Sequence, residues 1–181
     1  MARLAFFYGA LLLTAWHGVA CAAAGSAKPA GGAQAQRDIA DRILALHNRE
    51  RAAVGALPLV WDDQLAASAA AYGPDLARQG RLVHSDRRTR PGQSENLWSG
   101  TPAAYPLEAM VGSWASEKSL FVPGVFPNNS RTGNWLDVSH YTTMIWPTVR
   151  RVGCALHRVA IGDFLICRYS PTANRDGVRL P

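Results

Sequence analysis

The side chains that could do chemistry are histidines and glutamates scattered along the chain, among them His47, His84, Glu95, Glu117 and His140. His140 opens a compact apolar run that ends at Trp146. A histidine beside large apolar residues is partly desolvated, so its charge responds to its neighbours. Imidazole and carboxylate groups serve as general acids and bases, and they also bind divalent metals.

Taken singly, each of these residues also has a purely structural interpretation. His47 lies beside the apolar face of a predicted helix, where a packed, hydrogen-bonded histidine is the commoner case. Glu117 falls at the edge of an apolar helical stripe, so it needs a partner, a cleft or access to water at the helix end. The separations show no local ligand spacing such as His-x-x-x-His, so spacing alone does not bring any of these residues together.

Hydrolytic chemistry is an alternative for the same residues. A histidine beside a glutamate can act as a general base, or a metal-bound water can act as the nucleophile. The sequence contains neither a Gly-x-Ser-x-Gly elbow nor a His-Glu-x-x-His helix. Ser85 follows His84 directly, but adjacency in sequence is not evidence of a catalytic dyad. No residue is therefore assigned as catalytic.

The N-terminus has the pattern of a secretory signal peptide over residues 1–22. Arg3 precedes an apolar run that ends in small residues, and the run is too short for a membrane span of roughly 20 residues. Lipid modification of Cys21 is an alternative to simple cleavage. Residues 23–36 are small, polar and rich in Pro and Gly, which predicts a disordered tether. The mature protein is expected to be extracellular or periplasmic, with no transmembrane segment.

Residues 37–181 have the length of one domain. They hold 17 basic and 13 acidic residues, a net charge of +4. This balance suits solubility or an anionic envelope surface. The cluster Arg87-Arg88-Arg90 lacks interleaved aromatic residues, so nucleic acid is not an expected partner. We expect a monomer.

Apolar periodicity predicts three amphipathic helices. The first ends near Gly55. The second is capped by Asp62 and stopped by Gly80, and Gly73-Pro74 is expected to bend or interrupt it. The third opens at Pro106, where a missing N–H costs nothing.

The C-terminal half is predicted to contain a long loop and a hairpin. Residues 119–138 are rich in Pro, Gly and Asn, and loops of this length are usually functional or disordered. Residues 152–159 and 164–169 have strand-like patterns and are joined by a short turn. Cys154 and Cys167 lie on opposite arms, and an even pair in an exported chain predicts a disulfide.

Several short motifs resemble those of the CAP superfamily, which comprises the cysteine-rich secretory proteins, antigen 5 and the pathogenesis-related 1 proteins. The resemblance runs from about Ile39 to Asn174 and rests on the order of the motifs along the chain. They are Leu46-His47-Asn48-Arg49-Glu50-Arg51, Leu82-Val83-His84-Ser85, Glu95-Asn96-Leu97, Trp114-x-x-Glu117, His140-Tyr141-Thr142-Thr143-Met144-Ile145-Trp146 and Cys167-Arg168-Tyr169-Ser170-Pro171.

The resemblance implies a mixed α/β fold, a three-layer α/β/α sandwich with helices on both faces of a central sheet. It also implies that His84, Glu95, Glu117 and His140 meet in one cleft. Such a cleft suits zinc or another divalent cation held by the two histidines. The implied function is a secreted, non-enzymatic binding module that also takes a sterol or other lipid.

The sequence departs from the family pattern at several places. Ser94, Ser139 and Ala173 stand where glycine is usual, and Thr143 stands where glutamine is usual. Gly80 stands where a cysteine is found in plant members, so of their three disulfides only that of the hairpin is kept. Besides the hydrolase, an envelope-bound interaction protein whose cleft is only structural is a further alternative.

Overall fold

The computed structural model describes Met1 and residues 30–181. The predicted signal peptide, Cys21 and the first part of the tether therefore lie outside the described residues. The helices are α1 (Ala30–Ala53), α2 (Asp63–Gln79), α3 (Leu107–Ser116) and α4 (Ser139–Ile145). The strands are β1 (Val60–Trp61), β2 (Ser94–Gly100), β3 (Gly124–Val125), β4 (Arg151–Val159), β5 (Gly162–Ser170) and β6 (Arg179–Leu180). Short 3-10 helices cover Arg87–Thr89, Glu117–Ser119 and Trp135–Val138.

The central sheet has four strands in the order β1-β4-β5-β2. β1 runs parallel to β4, and the other two pairings are antiparallel. β3 and β6 form a separate antiparallel pair, so the segment 119–138 predicted as a loop contributes one short strand and one 3-10 helix.

Helices cover both faces of the sheet. On one face, α2 packs against β4 and β5, with Ala69, Leu76 and Ile166 fully buried. On the other face, α1, α3 and α4 enclose a larger core that includes Met110 and Trp146. The three-layer sandwich predicted from the resemblance is confirmed, and its cause is the two-sided burial of β5.

Helix α2 agrees with the prediction at its ends and differs in its middle. Asp62 accepts hydrogen bonds from the N–H groups of Gln64 and Leu65, and Gly80 closes the helix in the left-handed region with φ of 60°. The interruption expected at Gly73-Pro74 is absent. The helix continues because Leu65 and Leu76, on either side of that pair, are buried against the sheet.

Helix α1 begins earlier than the sequence predicts. Its first residue is Ala30, so residues 30–36, assigned to the disordered tether, are helical in the structure. Alanine and glutamine favour helix, and this outweighs the two glycines at residues 31 and 32.

The hairpin of β4 and β5 carries the predicted disulfide. Cys154 and Cys167 are paired directly across the two strands, and their sulfurs are bonded. Both cysteines are fully buried in the larger core. Within residues 30–181, no helix is long and apolar enough to cross a membrane.

Candidate functional site

A cleft of about 720 Å³ opens beside β2, the N-terminus of α4 and the segment after β5. Three of the four residues singled out from the sequence line it, namely His84, Glu95 and His140. Glu117 is not among the lining residues, but it is hydrogen-bonded to His140 from the adjoining 3-10 helix. The structure therefore brings the four residues together around one cleft, as two separate His–Glu pairs.

The first pair joins the loop before the first 3-10 helix to β2. Nδ1 of His84 donates to Oε1 of Glu95 at 2.7 Å. The same carboxylate accepts from the backbone N–H and the hydroxyl of Ser85, both at 3.1 Å. Its side chain is fully buried, whereas that of His84 is 58% exposed. Glu95 thus anchors an imidazole whose other edge is open to solvent.

The second pair lies at the start of α4. Nδ1 of His140 donates to Oε1 of Glu117 at 2.6 Å. Oε2 of Glu117 accepts from the backbone N–H groups of His140 and Tyr141 at 2.9 and 3.0 Å. The carboxylate of Glu117 therefore accepts hydrogen bonds from two free N–H groups at the start of α4 and from the imidazole ring of His140. The imidazole also stacks on Trp114, with ring centroids 6.0 Å apart and planes 13° from parallel.

Both pairs use the same arrangement of atoms. In each, the carboxylate accepts a hydrogen bond from Nδ1, so Nε2 is the ring nitrogen left for another partner. A carboxylate behind Nδ1 fixes the orientation of the imidazole ring, as it does for metal-bound histidines. The geometry therefore gives the glutamates an orienting role, and it leaves two imidazole nitrogens as the available ligands.

Glu95 sits in a strongly cationic setting. Burial raises the pKa of its carboxyl group, but the hydrogen bond from His84 and the charges of Arg168, His84 and Arg90 outweigh burial, so its pKa is lowered. The nearest charge partner among the arginines is Arg168, whose Nη2 lies 3.0 Å from Oε2 of Glu95. Arg168 is 2% exposed, and its position follows from the register that pairs it with Glu95 across β5 and β2.

Ser85 does not form a dyad with His84 among the residues that the structure describes. Its hydroxyl donates to Glu95 and accepts from Nε of Arg90 at 2.9 Å. Both hydrogen-bonding roles of the hydroxyl are therefore used by groups other than the imidazole. No group of three or more His, Cys, Asp and Glu side chains in residues 30–181 converges as a ready-made metal site.

The residues that depart from the family motifs lie together in the cleft wall. Ser94 Oγ accepts from the backbone N–H of Ala173 at 2.8 Å. Thr143 Oγ1 accepts from Nδ2 of Asn174 at 3.0 Å. Asn174 adopts φ of 53°, a conformation that asparagine tolerates better than most residues. These contacts tie the segment after β5 to β2 and α4, so the substitutions change the wall and leave the two His–Glu pairs in place.

Sequence reasoning noted Arg90 only as part of the Arg87-Arg88-Arg90 cluster, and it placed neither Arg90 nor Arg168 at the cleft. Arg90 and Arg168 are almost fully buried, and nothing in the local pattern distinguishes Arg90 from an exposed arginine. For Arg168, the sequence contained one signal of burial. Arg168 is a charged residue between Cys167 and Tyr169 in an otherwise apolar strand segment.

The model of the cysteine-rich secretory protein family, CAP, matches residues 44–169. The chain is 37% identical over 137 residues to pathogenesis-related protein 1A of Nicotiana tabacum, covering 74% of this chain and 76% of the relative. It is 34% identical over 139 residues to pathogenesis-related protein 1 of Arabidopsis thaliana, covering 76% of this chain and 80% of the relative.

Solved structures support the same fold. NaASP2, in a crystal structure with Zn²⁺, superposes with a TM-score of 0.67 at 20% identity, covering 78% of this chain and 84% of that one. An outer surface protein of Borrelia burgdorferi superposes with a TM-score of 0.53 at 16% identity, covering 75% of this chain and 92% of that one. With the family match over most of the described chain, the conclusion is that this protein belongs to the cysteine-rich secretory protein (CAP) family.

Proposed function

We propose that this chain is a secreted, non-enzymatic binding module whose cleft holds a divalent cation, such as zinc, between His84 and His140. The observation that supports it is the shared pairing: each histidine is oriented by a glutamate through Nδ1, and each keeps Nε2 available. When bound, the cation would supply a Lewis-acidic charge to a ligand in the cleft.

The two histidines suit such an ion in an open site, where the protein supplies only some of the metal ligands. Two neutral imidazoles are suitable ligands for zinc, and the remaining positions would be filled by water or by the ligand. Glu95 and Glu117 stay engaged with Nδ1 and act behind the ligands. NaASP2, which was crystallised with Zn²⁺, shares the fold, and this adds to the case.

Calorimetric titration of zinc into the mature protein tests the metal site. Wild-type protein should bind one ion, and His84→Ala and His140→Ala should each weaken binding at least about tenfold. His157→Ala is the matched control, because His157 lies on β4 and does not line the cleft. Equal affinity in all four proteins would rule out the site.

Secretion is supported by the N-terminal pattern of residues 1–22 and by the disulfide, which persists in oxidising compartments. Mass spectrometry of the mature N-terminus tests whether the chain is secreted. A free N-terminus beyond residue 20 indicates cleavage and release, whereas a diacylglyceryl mass on Cys21 indicates an envelope anchor. An intact Met1 in exported protein would contradict both.

A second candidate ligand, a lipid, is supported by a groove of about 620 Å³ between α1 and α2. Its wall is mostly small and apolar, including Ala40, Trp61 and Ala70. Binding of a fluorescent fatty acid or sterol should be lost in Ala70→Phe, which fills the groove, and kept in Ala45→Phe, an exposed position on α1. Equal binding by the two variants would place the lipid elsewhere or exclude it.

A further inference from the structure

The end of the cleft near His84 has more positive charge than its carboxylates neutralise. Arg87 and Arg90 both line it, and Arg168 lies buried beneath. In the described part of the chain, the one carboxylate bonded to any of these guanidinium groups is Glu95, which Arg168 uses. Within residues 30–181, neither Arg87 nor Arg90 has a carboxylate at salt-bridge distance.

The other carboxylates near this end make no ion pair with Arg87 or Arg90 among the described residues. Asp86 is held by Arg88, whose Nη2 lies 2.6 Å from Oδ2 of Asp86. Asp176 also lines the cleft, but among the described residues it makes no ion pair with either arginine. Arg87 and Arg90 are therefore the arginines at this end that have no ion pair among the described residues.

Arg90 is held in one orientation. It is 7% exposed, its Nε donates to the hydroxyl and carbonyl of Ser85, and its Nη1 donates to the carbonyl of Gln93 at 2.8 Å. Its Nη2 makes no hydrogen bond to the residues that the structure describes. A guanidinium fixed through Nε and Nη1, with the Nη2 nitrogen left over, is preorganised for a planar or tetrahedral anion.

Arg168 adds to the positive potential from below. Its Nε and Nη1 are buried and have no hydrogen-bond partner in the described part of the chain. Its guanidinium carbon lies 5.6 Å from the ring centroid of Tyr72, which compensates the charge only in part. Buried cations without full compensation are costly, so an anion nearby would stabilise the cluster.

We propose that Arg87 and Arg90 form a binding site for a tetrahedral oxyanion, a phosphate or sulfate group, at the His84 end of the cleft. Two separate guanidinium groups match the charge of a doubly charged oxyanion better than they match the charge of a single carboxylate. Arg90 supplies the fixed donor, and the exposed Arg87 closes over the anion from the rim. The site requires neither zinc nor His140, so it stands apart from the metal site.

Titration of metal-free protein, kept in a chelator at low ionic strength, with sodium phosphate and sodium sulfate tests this. Calorimetry should show saturable 1:1 binding, and Arg87→Gln and Arg90→Gln should each weaken it about tenfold. Arg88→Gln is the matched control: it removes the same charge from the same 3-10 helix, but Arg88 is paired with Asp86 and does not line the cleft. It should change affinity by less than about twofold.

Two further arms complete the experiment. Glycerol phosphate and glucosamine 6-sulfate distinguish the source of the oxyanion, because the ester that binds more tightly than its inorganic ion identifies the class. His140→Ala should keep anion binding while losing zinc, so failure of one site does not imply failure of the other. Absence of saturable binding, or equal losses in Arg87→Gln and Arg88→Gln, would overturn the proposal. Arg87 is exposed, so its variant is informative even if Arg90→Gln fails to fold.

Discussion

At the scale of single residues, His84 and His140 differ from His47 in what their two ring nitrogens contact. His84 and His140 each give one nitrogen to a glutamate and keep the other available. His47 uses both in the core: Nδ1 donates to the carbonyl of Ile43, and Nε2 accepts from the hydroxyl of Tyr169, each at 2.8 Å. His47 is therefore a structural residue, as its place on the apolar face of α1 indicated.

His47 should make the stability of the protein depend on pH. Burial lowers the pKa of His47 from 6.5 to about 4, with the charge of Arg51 adding to this and the Ile43 hydrogen bond opposing it. The unfolded chain therefore binds a proton before the folded one does. The contribution of His47 is complete above pH 6.5 and is lost as the pH falls through about 4, a change of about 3 kcal/mol.

Urea unfolding between about pH 7 and pH 4 measures this effect. His47→Gln keeps a hydrogen-bonding side chain but does not titrate, so its unfolding free energy should fall less over this range than that of the wild type. Parallel losses in the two proteins would show that other groups cause the acid sensitivity.

Glu95 is a buried carboxylate that pairs with the buried guanidinium of Arg168. Replacement by glutamine leaves Arg168 buried without a carboxylate and should lower the unfolding free energy by about 3 kcal/mol at pH 7. The pKa of Glu95 is lowered from 4.5, so its contribution is present above pH 4.5 and lost as the pH falls through the folded value. The gap between wild type and Glu95→Gln should therefore narrow below pH 4.5.

Denaturant titrations at about pH 7 and pH 3 check this prediction. Glu108→Gln is the control, because Glu108 pairs with Arg42 on the surface and both side chains are about half exposed. That variant should lose less than about 1 kcal/mol at either pH. A loss for Glu95→Gln no larger than that of the control would contradict the assigned role.

At the scale of elements, Arg51 joins the end of α1 to the segment that follows α4. It is fully buried, and its guanidinium donates to the carbonyls of Leu57, Met144, Trp146 and Val149. Because α4 carries His140 at its other end, this contact helps to set the helix that forms the cleft wall.

Arg51→Met should destabilise the protein by about 3 kcal/mol or more, since several buried carbonyls would lose their donor together. Thermal and urea unfolding measure the loss. Arg37→Met, an exposed position on the same helix, should change stability by less than about 0.5 kcal/mol. Similar losses in both variants would mean that the carbonyls find other partners.

Gly153 allows α2 to lie directly on the sheet. A Cβ at this position would lie 2.3 Å from the backbone N of Ala66 and the backbone O of Asp62. Gly153→Ala should therefore cost about 1–3 kcal/mol through overpacking. Gly112→Ala is the matched control, because a Cβ there meets nothing within 4 Å and helix α3 would gain a better helix former. Equal melting temperatures for the two variants would show that α2 shifts freely.

The elements show which features local sequence can predict. The cap at Asp62, the stop at Gly80 and the hairpin of β4 and β5 follow from short-range chemistry, and all three are present. The continuation of α2 through Gly73-Pro74 depends on packing against β4 and β5, which local pattern does not contain. Arg51 escaped notice for the same reason, since its carbonyl partners lie up to 98 residues away.

At the scale of the whole molecule, the fold could be predicted only through the ordered motifs. The site depended on them as well, because no two of its four residues are close enough in sequence for local spacing to place them together. The resemblance correctly implied that the sandwich would gather them at one cleft. It did not reveal that the glutamates would bond Nδ1 of each histidine, nor that the floor would carry Arg90 and Arg168. Those features depend on strand register and side-chain orientation, which are fixed only when the folded chain brings the strands together.

The central proposal is that His84 and His140 would together hold one divalent cation, with Nε2 as the free nitrogen of each ring. Long-range ¹H–¹⁵N correlation of the histidine rings during zinc titration tests it most directly. Saturation at one equivalent should move the Nε2 resonances of His84 and His140 together, while Nδ1 of each stays protonated and His47 and His157 stay unchanged. Movement of one ring alone, or of Nδ1 in place of Nε2, would contradict the account.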